Sequence, residues 1–256
     1  MSKDITTILA GWDFNPDELQ VRIIAGDDGR ERIQTRVDLG VLQMELAGRP
    51  DGQKPHGFES LLDFYEAREK SALAAGKEFA LDHRACGNLM REGLQYYHRY
   101  LSAFHLQRYD LVSRDTERNL RLFAFVVQHA SRQSDKIEFD KYRPYVHMMR
   151  ARAIGLEALA RGDFARALRE IDEGISRIRV FLREYHQEDH ETDCAELTLL
   201  VRWRREVEQE RPTDPVERIQ QQLELAVSLE DYEEAARLRD QIQQLKKSTI
   251  EESSRS

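Results

Sequence analysis

Apolar side chains recur at every second position between residues 19 and 47, and at every third or fourth position from Phe58 onward. This change of period constrains the fold more than any other feature, because the first spacing suits a half-buried strand and the second one face of a helix. Leu19, Val21 and Ile23 alternate with polar neighbours, Gly26-Asp27-Asp28-Gly29 marks a turn, and Ile33, Thr35 and Val37 alternate again. Val41-Leu42-Gln43-Met44-Glu45-Leu46 reads as a third strand, closed by the turn residues of Gly48-Arg49-Pro50-Asp51-Gly52. Helical segments are expected over 58–75, 82–106, 111–133, 139–161, 164–185 and 194–209. The chain is therefore predicted to be mainly α, with a small antiparallel meander at its N-terminus. Arg211-Pro212-Thr213-Asp214-Pro215 is the clearest linker, since one proline stops a helix while Asp214 and Pro215 suit the start of the next.

Beyond that linker, Ile219, Leu223, Ala226 and Val227 fall on one helix face, and Ala235, Leu238, Ile242 and Leu245 on another. The short segment 228–232 between them forces an antiparallel pair. A hairpin of about 34 residues buries too little apolar surface to stand alone, so it needs a further packing partner. The string Leu229-Glu230-Asp231-Tyr232-Glu233-Glu234-Ala235-Ala236-Arg237-Leu238-Arg239-Asp240 resembles the UVR motif. That helical hairpin is shared by the bacterial excision-repair proteins UvrB and UvrC and by several Clp-protease adaptors and regulators. The resemblance implies a surface that holds another protein, formed by Leu229, Tyr232, Glu233, Ala235, Ala236, Arg239 and Asp240. Tyr232 stands where the family commonly shows phenylalanine. The implied partner is a UvrB/UvrC-type protein, a Clp-type complex or a second copy of the chain. The P-loops of UvrB and the Clp ATPases, the nuclease domains of UvrC and the paired CxxC zinc sites of the Clp adaptors have no counterpart here.

In the middle of the chain, Gly155, Gly162-Asp163-Phe164 and Ala167 resemble the helix–turn–helix spacing of a tetratricopeptide (TPR) repeat, with Ile171 and Gly174 extending the contact face. A weaker echo runs from Tyr100 through Arg108-Tyr109-Asp110-Leu111-Val112. The two turns lie about 55 residues apart, against about 34 in a regular array. The expectation is a TPR-like body with longer helices, or a plain bundle containing one such turn.

Chemistry-bearing constellations are sparse. His186, His190 and Cys194 would share one face of a helix at a spacing that suits zinc; a solvated acidic connector is the competing reading, and no cofactor or metal is assigned. Cys86 near His83 reads as a small buried hydrophobe, for want of a third orienting group. The aromatic runs Tyr96-Tyr97-His98-Arg99-Tyr100 and Phe123-Ala124-Phe125 read as helix core or as a groove for a peptide. Arg49, in its Gly/Pro-rich loop, suits a carboxylate or phosphate, although a plain sheet-to-helix connector explains that loop as well.

A formal net charge of −8 argues against nucleic acid as the direct ligand, because phosphate contacts need a dense positive surface. Arg202-Trp203-Arg204-Arg205 is a local exception, and its arginine stems are expected to cover a helix face. Neither a membrane span nor a secretory signal is read, so a cytoplasmic location is expected. The expected layout is a β-rich region over 1–57, a TPR-like helical domain over 58–210, a UVR hairpin over 211–247 and a disordered tail over 248–256. Function reads as a non-enzymatic adaptor that docks a protein partner. The alternatives are a DNA-repair accessory factor acting with UvrB/UvrC-type proteins, and a metal-binding enzyme using His186, His190 and Cys194.

Overall fold

The computed structural model describes residues 4–211 and, beyond them, Ile219, Leu223, Ala226, Val227, Tyr232, Glu234 and 236–243. The chain divides into two compact units, 1–208 and 209–256. The fold is mainly α with a small N-terminal sheet.

A one-turn helix α1 (Thr6–Leu9) precedes three antiparallel strands, β1 (Val21–Ala25), β2 (Glu31–Val37) and β3 (Gly40–Glu45), in the order β1-β2-β3. Gly29 closes the first turn at φ +75, with its N–H donating to the Gly26 carbonyl at 2.9 Å. This backbone conformation places a β-carbon under strain, so glycine suits it. The pairing puts Arg22 opposite Gln34 and Gln34 opposite Gln43. Their side chains form a hydrogen-bonded rung, Arg22 Nε donating to Gln34 Oε1 at 2.9 Å and Gln34 Nε2 to Gln43 Oε1 at 2.9 Å. On the opposite face Ile33 and Met44 are buried, and Thr35 shares a 2.7 Å hydrogen bond with Ser102 of the helical body.

The helices are α2 (Leu61–Ala74), α3 (His83–His105), α4 (Tyr109–His129), α5 (Gln133–Asp140), α6 (Arg143–Ala160), α7 (Phe164–Glu184) and α8 (Ala195–Glu210). Ser60 and Asp82 cap α2 and α3, each accepting a hydrogen bond from a backbone N–H of the first turn. The expected helices over 111–133 and 139–161 need correction. Ala130 is extended and bridges Leu81, with Leu81 N–H donating to His129 O at 2.8 Å and Ser131 N–H to Leu81 O at 3.0 Å. This backbone pairing ends α4, the separate helix α5 follows, and Pro144 lies in the first turn of α6, where a missing N–H does no harm.

Two helical hairpins have the same turn. Leu106, Gln107 and Arg108 join α3 to α4; Arg161, Gly162 and Asp163 join α6 to α7. The central residue is left-handed in both, at φ 57 for Gln107 and φ 75 for Gly162. The next residue has φ −84 and ψ 67 in one, φ −88 and ψ 74 in the other. Arg108 N–H donates to Ala103 O and Asp163 N–H to Ala158 O, at 2.8 and 2.9 Å, satisfying carbonyls that the helix ends would leave open. Val112 and Ala167 sit at matching places after the two turns, both fully buried.

Glycines set how close α6, α7 and α8 come. A β-carbon on Gly155 would lie 2.6 Å from the Trp203 ring, and one on Gly174 would lie 2.6 Å from Ala151 Cβ and 3.0 Å from Leu200 Cδ1. The small residues expected on this contact face therefore do pack against neighbouring helices.

The sheet is held to the body by buried ions. Arg99, 1% exposed, makes a two-pronged contact with Asp115 (2.6 and 2.9 Å), and its third nitrogen donates to the carbonyls of Glu45 and Gly48, both at 2.8 Å. Arg114 adds the Leu46 carbonyl at 2.8 Å. Glu92, also 1% exposed, accepts from the backbone N–H groups of Leu61 and Leu62 at 2.7 and 3.1 Å, so it caps α2 from α3; Arg118 and Arg49 neutralise it. A carboxylate suits a helix N-terminus, where free N–H groups and the helix dipole both favour negative charge.

Candidate functional site

In the second unit, Ile219, Leu223, Ala226, Val227, Tyr232, Glu234 and 236–243 are helical. Ala226 and Leu238 are buried and pack with Ile219 and Leu223, and Ile242 is 9% exposed. Five of the apolar positions expected to face inward therefore do so. Val227 is corrected: at 51% exposed it faces out. It follows Ala226 directly, and one residue's advance turns a helix by about 100°. Ala235 and Leu245 lie outside the described residues, as does 248–256.

The residues assigned to partner binding divide in the same way. Leu229, Glu233 and Ala235 lie outside the described residues. Tyr232 is 69% exposed, and Ala236, Arg239 and Asp240 are exposed as well. Arg239 Nε lies 3.9 Å from Asp240 Oδ1 with both side chains about two-thirds open, while Arg237 pairs with Glu234 at 3.5 Å. Such open pairs contribute little to folding.

The zinc candidates do not share a helix face. His186 is left-handed, at φ 53, and ends α7; residues 188–193 form a tighter 3-10 turn, and Cys194 is extended. His190 Nδ1 instead contacts Asp193 at 3.1 Å, and the Cys194 thiol contacts Glu196 at 3.5 Å. Among the described residues no group of three or more histidine, cysteine or carboxylate side chains is placed to hold a metal.

Cys86 is 2% exposed, and burial pushes its thiol up to about 11, which keeps it protonated and unreactive. His83 contacts Asp135 at 2.8 Å. Arg49 holds carboxylates of its own chain, Asp51 at 3.0 Å and Glu92 at 3.6 Å. In the basic run of α8, Arg204 pairs with Asp172 at 2.7 Å and Glu208 at 3.8 Å, and Arg202 with Glu206 at 3.5 Å. Among the described residues no helix is long and apolar enough to cross a membrane.

The UVR family, described as the UvrB/uvrC motif, matches residues 213–248. No curated protein and no solved structure matches the chain.

Proposed function

We propose that this chain is a non-enzymatic adaptor whose C-terminal hairpin docks a second protein, with the helical body, read as TPR-like, offering a further binding surface. The observation that carries the reading is the UVR match over 213–248, a motif whose known bearers use it to pair with other proteins. The exposure of Tyr232, Arg239 and Asp240 supports it, since a docking face must lie outside the hairpin's own core. A protein of the UvrB/UvrC type, a Clp-type assembly or a second copy supplies the complementary hairpin. Two linked surfaces raise effective concentration and bridge partners without catalysis. Direct DNA contact through α8 is the weaker reading, because Arg202 and Arg204 already pair with acids.

The test is affinity capture from a bacterium encoding this chain, with the full chain and a version ending at Glu210. Partners lost with the hairpin support docking there, and their identities separate repair from proteolysis. Partners retained by the short version move the function to the body. Arg239→Glu sharpens the result: binding is expected to weaken by about tenfold, as for an exposed arginine anchor, with the far-UV circular dichroism unchanged.

A further inference from the structure

The two aromatic runs meet at a cavity of about 400 Å³ in the helical body. Tyr97 and Tyr100 reach it from α3, Phe123 from α4, and Tyr142 and Tyr145 from the start of α6. Tyr97 and Tyr100 meet edge to face at 5.5 Å, and Tyr97 and Tyr145 lie 6.2 Å apart. Leu94, 46% exposed, and Tyr142, 42% exposed, place apolar surface where the cavity is lined and also open to water.

Charge is distributed unevenly around these rings. Lys141 lines the cavity; its ammonium is held by Glu138 at 2.8 Å and lies 5.0 Å from the Tyr142 ring, which leaves the Tyr97, Tyr100 and Tyr145 rings without a lysine of the chain over them. Glu196, in the first turn of α8, supplies the lining carboxylate. No arginine or lysine among the described residues pairs with Glu196, whose carboxylate is contacted by the uncharged Cys194 thiol at 3.5 Å. Aromatic faces carry negative potential and attract cations, Arg and Lys above all. A wall of tyrosine rings with one carboxylate outside any ion pair among the described residues is therefore complementary to an organic cation on an apolar stem. The volume exceeds that of one such side chain and falls within the range of small-ligand sites.

We propose that this cavity binds a short basic–apolar segment of a partner protein, seating an arginine or lysine side chain between the tyrosine rings and Glu196. The apolar neighbours of that side chain then lie against Leu94 and Phe123. This site lies wholly in the first unit and does not rest on the hairpin reading, which it extends with a second surface of defined chemistry.

The test uses the full chain with ring-labelled tyrosine, titrated with capped tripeptides Leu-Arg-Leu, Leu-Lys-Leu, Leu-Gln-Leu and Leu-Glu-Leu, and with hexylamine. The basic peptides are expected to shift the ring signals of Tyr97 and Tyr145 and to bind about tenfold more tightly than the glutamine peptide, the scale of a desolvated cation–aromatic contact. Glu196→Gln is expected to bring the basic peptides to the level of the glutamine peptide. Leu94→Arg, at an exposed position, is expected to block them while the circular dichroism stays unchanged. Equal binding of neutral or acidic peptides, unchanged affinity in Glu196→Gln, or no ring shift at millimolar peptide overturns the proposal. Hexylamine binding as tightly as the peptides also overturns it, by making the ligand a small amine. Hairpin variants such as Arg239→Glu leave these titrations untouched, so the two readings fail separately.

Discussion

Counted back from the left-handed residue of its turn, the place that α3 gives to Arg99 is given by α6 to Ile154, and both are buried. Counted forward, Thr116 and Asn119 on α4 match Ile171 and Gly174 on α7, and all four are again buried. The two hairpins thus share a turn and a burial pattern while filling the pattern with opposite chemistry. What each one faces explains the difference. The α3–α4 pair meets backbone: the carbonyls of Glu45, Leu46 and Gly48 and the N–H groups of Leu61 and Leu62. Such groups need partners when buried, so charged side chains must come inside to meet them. The α6–α7 pair meets α8, whose backbone bonds itself, and there the fit is set by removing bulk, at Gly155 against Trp203 and Gly174 against Leu200. A helical scaffold of one shape can therefore hold a sheet by ions or a helix by small residues.

The largest expected effect tests the ionic side. Arg99→Ala strands two carbonyls and leaves the buried Asp115 with only the half-open Arg114, at 3.0 Å, to offset its charge, so a loss of about 3 kcal/mol, the low end for a broken buried pair, is expected in urea unfolding. In the other hairpin Ile154→Val, at the matching place, is expected to cost only about 0.5–1.5 kcal/mol. The double variant Arg99→Met with Asp115→Leu sharpens the contrast. A buried pair that served only as core would be replaced without loss. Because Arg99 also bonds to Glu45 and Gly48, recovery is expected to be partial; full recovery would break the comparison.

Small residues give the next effect. Gly174→Ala drives a methyl to 2.6 Å from Ala151 Cβ, between two helix backbones, and overpacking of that kind costs about 1–3 kcal/mol. The matching experiment in the first hairpin is Gly93→Ala, where the nearest atom is the tip of the buried Leu122 side chain, Cδ2 at 3.0 Å, which need give by only a few tenths of an ångström. There the gain in helix propensity, about 1 kcal/mol, offsets the crowding, and a change near zero is expected from the same unfolding measurement.

Much of this frame was legible in the sequence. The periods of two and 3.6 gave the strands and helices, and Gly155, Ala167, Ile171 and Gly174 named the α6–α7 contact face. The hairpin string gave both its family and its inward residues Leu238 and Ile242. The buried ions were not legible, because a charged residue on an amphipathic helix ordinarily marks the wet face, and Glu92 and Asp115 have no local sign that sets them apart. Arg99 had a weak one, its place inside the run Tyr96 to Tyr100. The boundary from α4 to α6 was also hidden. The polar run 131–136 marks a break, but it hides the short helix α5, and what ends α4 at His129 is pairing with Leu81, far away in sequence. The proposed zinc face failed for a related reason: it required an unbroken helix, and His186 turns the chain left-handed at φ 53.

A pH titration separates the two hairpins in another way. His147 on α6 occupies the place that Glu92 holds on α3. Burial, then Arg143, Arg177 and Arg150, bring His147 down to about 4 from an ordinary 6.5. The folded protein therefore holds it neutral, while the unfolded chain takes up a proton as pH falls through 6.5. Stability from this group is present above pH 6.5 and declines as pH falls towards 4. His147→Leu is expected to flatten that part of the stability profile. If the slope between pH 6.5 and 4 is the same in the variant, acid sensitivity arises elsewhere, and the carboxylates of the first hairpin become the place to look.

A further small effect concerns the turns themselves. Gln107 and Gly162 hold the same left-handed conformation, yet only glycine, which has no β-carbon to crowd, does so without strain. Gln107→Gly relieves that strain, and against it stands the greater freedom of glycine in the unfolded chain. The net expectation is a gain of about 0.5–1 kcal/mol, seen as a rise in thermal midpoint of about 1–4 °C for a chain of this length. Gly162→Gln should lose about as much. Opposite and similar shifts would mean that the two turns carry the same strain and differ only in the residue that bears it. A loss on Gln107→Gly would mean that the Gln107 side chain contributes something at its turn that Gly162 does without, and the equivalence of the hairpins would then stop at their backbones.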